Sequence, residues 1–141
     1  MRRFLDTNVL VYLFDGAARA KQARAQELLQ QAVRDGFALI STQVLQEFFV
    51  AVTRKLAVPL SHEEAERAVR DLTRLPTVEI TAEMVVSAIA AMRRYRLSFW
   101  DSLIVQAALR GGATVLYSED LQHGRAIETL TIENPFREHV V

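Results

Sequence analysis

The chain has no cysteine, two lysines (Lys21 and Lys55), three histidines and three prolines in 141 residues. Without cysteine there can be no disulfide, no thiol nucleophile and no zinc–thiolate site, and the composition fits a reducing compartment. Excess charge is also missing, since Lys+Arg and Asp+Glu both number 17. Net charge therefore gives no support for a polyanionic partner, and any nucleic acid must be drawn by local charge placement or by an ion. The apolar stretch from Val9 to Phe14 is far too short to span a bilayer and is closed by Asp15. The start, Met-Arg-Arg-Phe-Leu-Asp, lacks the apolar core of a secretory signal. A soluble, cytoplasmic protein with no membrane partner is expected. The histidines, His62, His123 and His139, are scattered with no zinc-like spacing. Glycine-rich phosphate or dinucleotide loops and a Gly-x-Ser-x-Gly nucleophile elbow are absent. What remains is chemistry with oxygen ligands.

With 50% hydrophobic residues, the chain is expected to form one domain over residues 1–141, burying roughly two-thirds of its unfolded surface. Short β-like segments alternate with longer helical ones. Arg2 to Asp6 reads as a strand, and Thr7-Asn8 as a cap for a helix from Val9 to about Asp15. A helix over Ala18 to Asp35 stops at Gly36, and Phe37 to Ile40 is a second strand. Ser41 caps a helix from Thr42 to about Leu56, ended by Pro59. Ser61 with Glu64 forms a capping box for a helix to about Leu75, stopped by Pro76. Val78 to Ile80 is a third strand, and Thr81 caps a helix to about Arg96. Trp100 to Arg110 is the last helix, ended by Gly111-Gly112; Ala113 to Tyr117 and Glu128 to Ile132 are the remaining strands. This order implies an α/β domain of three layers, a mainly parallel sheet of four to five strands flanked by helices.

Four acids sit where one element passes into the next: Asp6, Glu47, Asp101 and Asp120. In such folds ligands gather at the carboxyl ends of strands, where Asp6 closes the first and Asp120 lies just beyond the fourth. Each acid also has an ordinary reading. Asp6 could be a helix cap, although Thr7 and Asn8 supply surplus capping groups. Glu47 falls nearly opposite the stripe formed by Leu45, Phe48, Phe49, Val52 and Leu56, which reads as a solvated surface. Asp101 shares a face with Ile104, Val105 and Ala108, and could complete a capping box with Ser98. Asp120 could be a turn residue, and His123 a surface one. Phe99 and Trp100 read as core or wall residues rather than a stacking platform.

Taken in order, Phe-Leu-Asp-Thr-Asn at 4–8, the Glu47 segment, Trp-Asp-Ser at 100–102 and Ser-Glu-Asp-Leu-Gln-His-Gly at 118–124 resemble the PIN domain. The likeness is strongest to its VapC-like toxin branch and runs from Phe4 to Phe136. The resemblance implies a Mg²⁺- or Mn²⁺-dependent endoribonuclease, the toxin of a toxin–antitoxin pair. It places Asp6, Glu47, Asp101 and Asp120 at the family's acidic positions, with Thr7, Asn8 and Ser118 as polar neighbours. On that resemblance Asp6 and Asp101 hold the ion, while Glu47 and Asp120 act through water or complete a second site. It also implies an RNA substrate, a cognate antitoxin and a homodimer, for which Tyr12, Phe14 and Val50 offer apolar surface. Arg93, Arg94 and Arg96, or Arg54-Lys55, are candidate RNA contacts, though solvated helix ends explain both clusters. Two other classes fit less well. An acid-lined phosphatase would want a second acid where Asn8 stands and a lysine late in the chain. A non-catalytic PIN-like module would use the acids only as caps.

Overall fold

Phe4 and Leu5 are fully buried and carry the strand that organises the molecule. In the computed structural model, which describes residues 1–137, this strand β1 (Arg2–Leu5) pairs in parallel with two others. On one side lies β2 (Ala38–Ser41), on the other β4 (Ala113–Tyr117). β3 (Thr77–Val78) extends the sheet beyond β2, and β6 (Leu130–Glu133) extends it beyond β4. A two-residue strand β5 (Ala126–Ile127) pairs antiparallel with β6, giving the order β3-β2-β1-β4-β6-β5. All four residues of β2 are buried, as expected of a parallel strand covered on both faces.

The covering helices are α1 (Thr7–Val11), which runs into a 3-10 turn at Tyr12–Phe14, α2 (Arg19–Asp35), α3 (Thr42–Arg54), α4 (His62–Leu72), α5 (Ala82–Tyr95) and α6 (Phe99–Arg110). The expected three-layer α/β architecture is present. The sheet has six strands rather than four to five: the strand expected at Glu128 to Ile132 is β6, and β5, two residues long and too short to carry any alternation, is added beside it. Ser41, Ser61 and Thr81 cap α3, α4 and α5, and the Ser61–Glu64 box has both of its hydrogen bonds.

Two local expectations change. α1 is capped by Asp6 itself, whose side chain accepts from the Thr7 N–H, so Thr7 and Asn8 are free for other partners. Of the Gly111-Gly112 pair, only Gly112 needs glycine for its backbone, with φ +79°. Gly111 has an ordinary backbone but lies against Leu39 and Val78, where a Cβ would collide with both side chains. It lets the end of α6 close onto β2 and β3. No helix among the described residues is long and apolar enough to cross a membrane.

Candidate active site

The chain order reverses direction across the sheet at β1, with β2 on one side and β4 on the other. That switch point leaves a crevice at the carboxyl ends of the two central strands. The register pairs Leu5 with Tyr117, and the Asp6 N–H donates to the Tyr117 carbonyl at 3.0 Å. Asp6 and Ser118 therefore lie side by side at the sheet edge. Asp6 is 6% exposed. One of its carboxylate oxygens accepts from the Thr7 N–H at 2.7 Å, the other from the Ser118 hydroxyl at 2.8 Å. Burial pushes its carboxyl up from 3.8 to about 7, with the negative charges of Glu47 and Asp101 adding to the rise. The bonds from Ser118 and Thr7 oppose it.

The next two residues reach sideways. The Thr7 hydroxyl donates to Glu47 Oε1 at 2.7 Å, and Asn8 Nδ2 donates to Asp120 Oδ2 at 3.1 Å. Asp-Thr-Asn thus divides three tasks among three adjacent side chains. Glu47 is half-buried, because the side of α3 opposite its apolar stripe faces a crevice rather than bulk water. Gln43, one turn earlier, is 3% exposed. Its Nε2 donates to the Trp100 carbonyl at 3.1 Å and to Glu47 Oε2 at 3.4 Å, tying α3 to the start of α6.

Asp101 is half-buried, and burial raises its carboxyl, with Asp120 adding to the rise and Ser98 opposing it. The Ser98 hydroxyl accepts from the Asp101 N–H at 3.1 Å, which is the forward half of the expected capping box. Asp120 is exposed on its loop. Both residues before it anchor that loop. Ser118 is fully buried against Asp6. Glu119 accepts from the Tyr12 hydroxyl and from Lys21, each at 2.6 Å. Lys21 also lies over the Tyr12 ring, and Glu119 is the main cause of the raised lysine value.

All four predicted acids and all three predicted polar neighbours are joined through this network or through mutual electrostatic influence. Sequence reasoning missed Gln43, Tyr12, Lys21 and Glu119. The i to i+4 spacing of Gln43 and Glu47 was the available signal for the first; the others are long-range contacts. His123 is not in the site: its Nδ1 accepts from the Asn134 N–H at 3.0 Å. His62 packs against Phe49, and His139 lies outside the described residues. Trp100 is 61% exposed and is therefore no core residue.

Among the described residues none of the four acids has a salt-bridge partner. Nor does any group of three His, Asp or Glu side chains there converge closely enough to make a ready ion cage. The acids are instead spaced by Thr7, Asn8 and Ser118. Uncompensated carboxylates, one of them buried, nevertheless match the oxygen-donor chemistry of a hard divalent cation. A cavity of about 680 Å³ opens beside them, with Glu47 and Asp120, but not Asp6 or Asp101, in its lining. Thr7, Asn8, Gln43, Glu47 and Asp120 line its polar part, and Val11, Val50, Ala51 and Leu56 an apolar part, with Trp100 and Lys55 also on its wall. The buried acceptors Asn8 Oδ1 and Gln43 Oε1 have no partner within the protein, and each can take a hydrogen bond from water or a ligand.

Residues 3–127 match the family model for the PIN domain. Comparison with characterised protein sequences returns no match. Among solved structures, the chain is similar to Mycobacterium tuberculosis VapC20, described as a toxin that cleaves the sarcin-ricin loop. The two share 22% identity over 84% of this chain and 89% of that one, with a TM-score of 0.67. A toxin–antitoxin complex from Klebsiella pneumoniae gives 18% identity, coverage of 94% and 97%, and a TM-score of 0.68. VapBC2 from Rickettsia felis, bound to a promoter DNA fragment, gives 19% identity, coverage of 94% and 98%, and a TM-score of 0.67.

Proposed function

The chain belongs to the PIN-domain family, and on that premise we propose that it is a metal-dependent endoribonuclease acting as the toxin of a toxin–antitoxin pair. The observation that supports the reading is Asp6: a buried carboxylate with no salt-bridge partner among the described residues, which feels the charges of Glu47 and Asp101 and has Asp120 tied to Asn8 two residues on. A bound Mg²⁺ or Mn²⁺ would supply an activated water and offset the charge that builds on the phosphate and its leaving oxygen. Asp6 and Asp101 would hold that ion, with Glu47 and Asp120 acting through water or at a second ion.

The protein's own work is orientation. Ser118 and the Thr7 N–H fix both oxygens of Asp6, Thr7 fixes Glu47, and Asn8 fixes Asp120. Held this way, the carboxylates need little reorganisation when the substrate arrives. Because Asp6 retains its proton up to about pH 7, cation binding below that pH releases a proton, and affinity falls as pH falls.

A partner protein fits the same cavity. Its apolar wall, Val11, Val50, Ala51 and Leu56, lines the same cavity as Glu47 and Asp120, so an antitoxin segment seated there would cover those two acids. A homodimer belongs to this reading, and a monomer at high concentration by sedimentation would count against it. The deciding experiment is incubation of total cellular RNA with the purified protein and Mg²⁺ or Mn²⁺, beside Asp6→Asn and an EDTA control. Discrete fragments that need metal and vanish in the variant support the nuclease. Cleavage that persists in Asp6→Asn overturns the site.

A further inference from the structure

Trp100 is out of place for a residue of its size. A tryptophan on a helix beside the core is ordinarily well covered, yet this one is 61% exposed. Its neighbour Phe99 packs on the core, and the two rings meet edge to face with centroids 5.1 Å apart. The backbone that carries the indole is held in place. Gln43, almost wholly buried, holds the Trp100 carbonyl, and the following residue is Asp101, a member of the acid group. Trp100 lines the same cavity as Glu47, Asp120 and Asn8, and so does Lys55, an exposed cation without a salt-bridge partner among the described residues.

Three properties thus coincide at one crevice: carboxylates suited to an ion and a phosphate, a free cation, and an exposed aromatic surface. A paired, stacked base offers no face to an indole, whereas an unpaired base does. At about 680 Å³, the cavity is in the range that encloses a small-molecule-sized group, and it is far too small for a duplex.

We propose that Trp100 is a substrate-binding residue that stacks one unpaired base of single-stranded RNA beside the phosphate engaged by the acids, with Lys55 contacting the adjoining backbone. The proposal rests on the nuclease reading and sharpens it, because it restricts cleavage to unpaired positions such as loops and single-stranded linkers. It assigns the exposed indole to RNA rather than to a protein partner or a second copy of the chain.

The test uses the fact that Trp100 is the only tryptophan. Full-length Asp6→Asn protein, which binds without cutting, is titrated with a single-stranded RNA oligonucleotide while indole emission is followed. In parallel, affinity is read by polarisation of labelled RNA for Asp6→Asn alone and combined with Trp100→Ala or Trp100→Phe. Stacking predicts saturable quenching, a rise in Kd on the order of tenfold for Trp100→Ala, and substantial recovery in Trp100→Phe. The same oligonucleotide locked in a duplex should neither quench nor compete. RNA that is bound, and cut by the wild type, with unchanged emission and unchanged Kd in Trp100→Ala overturns the subsite and leaves the nuclease standing. Emission that follows protein concentration rather than RNA assigns the indole to a second copy and also overturns it. RNA neither bound nor cut overturns both readings.

Discussion

Replacing Asp6 by Asn tests the electrostatics of the site without relying on turnover. Asn caps a helix as well as Asp does, so the Thr7 N–H keeps an acceptor, and the side chain changes little in volume. The charge is lost, and the Ser118 hydroxyl, which donates to the second carboxylate oxygen, must turn to accept from the amide. In EDTA the folded protein keeps the Asp6 proton up to about pH 7, whereas the unfolded chain releases it near 3.8. Between those values the folded state holds more protons, so stability falls as pH rises through the window and the loss is complete above it. A rise from 3.8 to about 7 corresponds to on the order of 4 kcal/mol. Asp6→Asn should therefore be more stable than the wild type at pH 8 by up to about 4 kcal/mol, or on the order of 10 °C in Tm for a domain of this size. Near pH 4 the two should converge. Adding Mn²⁺ at pH 8 should narrow that difference, since a ligand at a hundred times its Kd stabilises the wild type by about 2.7 kcal/mol and the variant far less. Thermal melts across pH 4–8, with EDTA and with Mn²⁺, read all of this. Parallel pH profiles for the two proteins in EDTA would refute the reasoning, because Asp6 would then be ionised in the fold at no electrostatic cost.

Other predictions follow from named contacts. Lys21→Met and Glu119→Gln each release one end of the anchor on the Asp120 loop. They should lower cleavage or Mn²⁺ affinity roughly 10- to 100-fold while changing stability by less than about 1 kcal/mol, since Lys21 is partly exposed. Steady-state kinetics beside urea unfolding separate those effects. Thr7→Val removes the bond that orients Glu47 and should reduce kcat more than it raises the KM for RNA, measured on a short oligonucleotide. Gly111→Ala forces a methyl group against Leu39 and Val78 and should cost about 1–3 kcal/mol without altering Mn²⁺ affinity, checked by denaturation and metal titration.

How far the sequence foretells this molecule varies with the range of the interaction. Caps, breakers and the long helices are local, and Ser41, Ser61 and Thr81 act as their neighbours imply. The β5–β6 hairpin was half missed because Ala126–Ile127 is too short to show a pattern. Asp6, Asp101 and Asp120 could be named because each lies at or beside an element end, whereas Glu47 sits in the middle of α3, where periodicity alone left it on a wet surface. Helix periodicity separates the core side from the other side; it does not say that α1 and α6 wall the other side off. The same limit hid Gln43 as a buried polar link and Trp100 as an exposed aromatic. Lys21 and Glu119 are separated by 98 positions, and nothing local in either segment announces their pairing.

The place of β1 has a consequence for the order in which the protein becomes active. β1 is central in the sheet, and one of its two neighbours, β4, is made more than a hundred residues later. Until β4 inserts, Asp6 has no Ser118 beside it and Asp120 has not been synthesised. A nascent or truncated chain can build α1 to α6 and still lack a complete site. A chain that stops before residue 118 would therefore lack part of the candidate site even with all six helices in place.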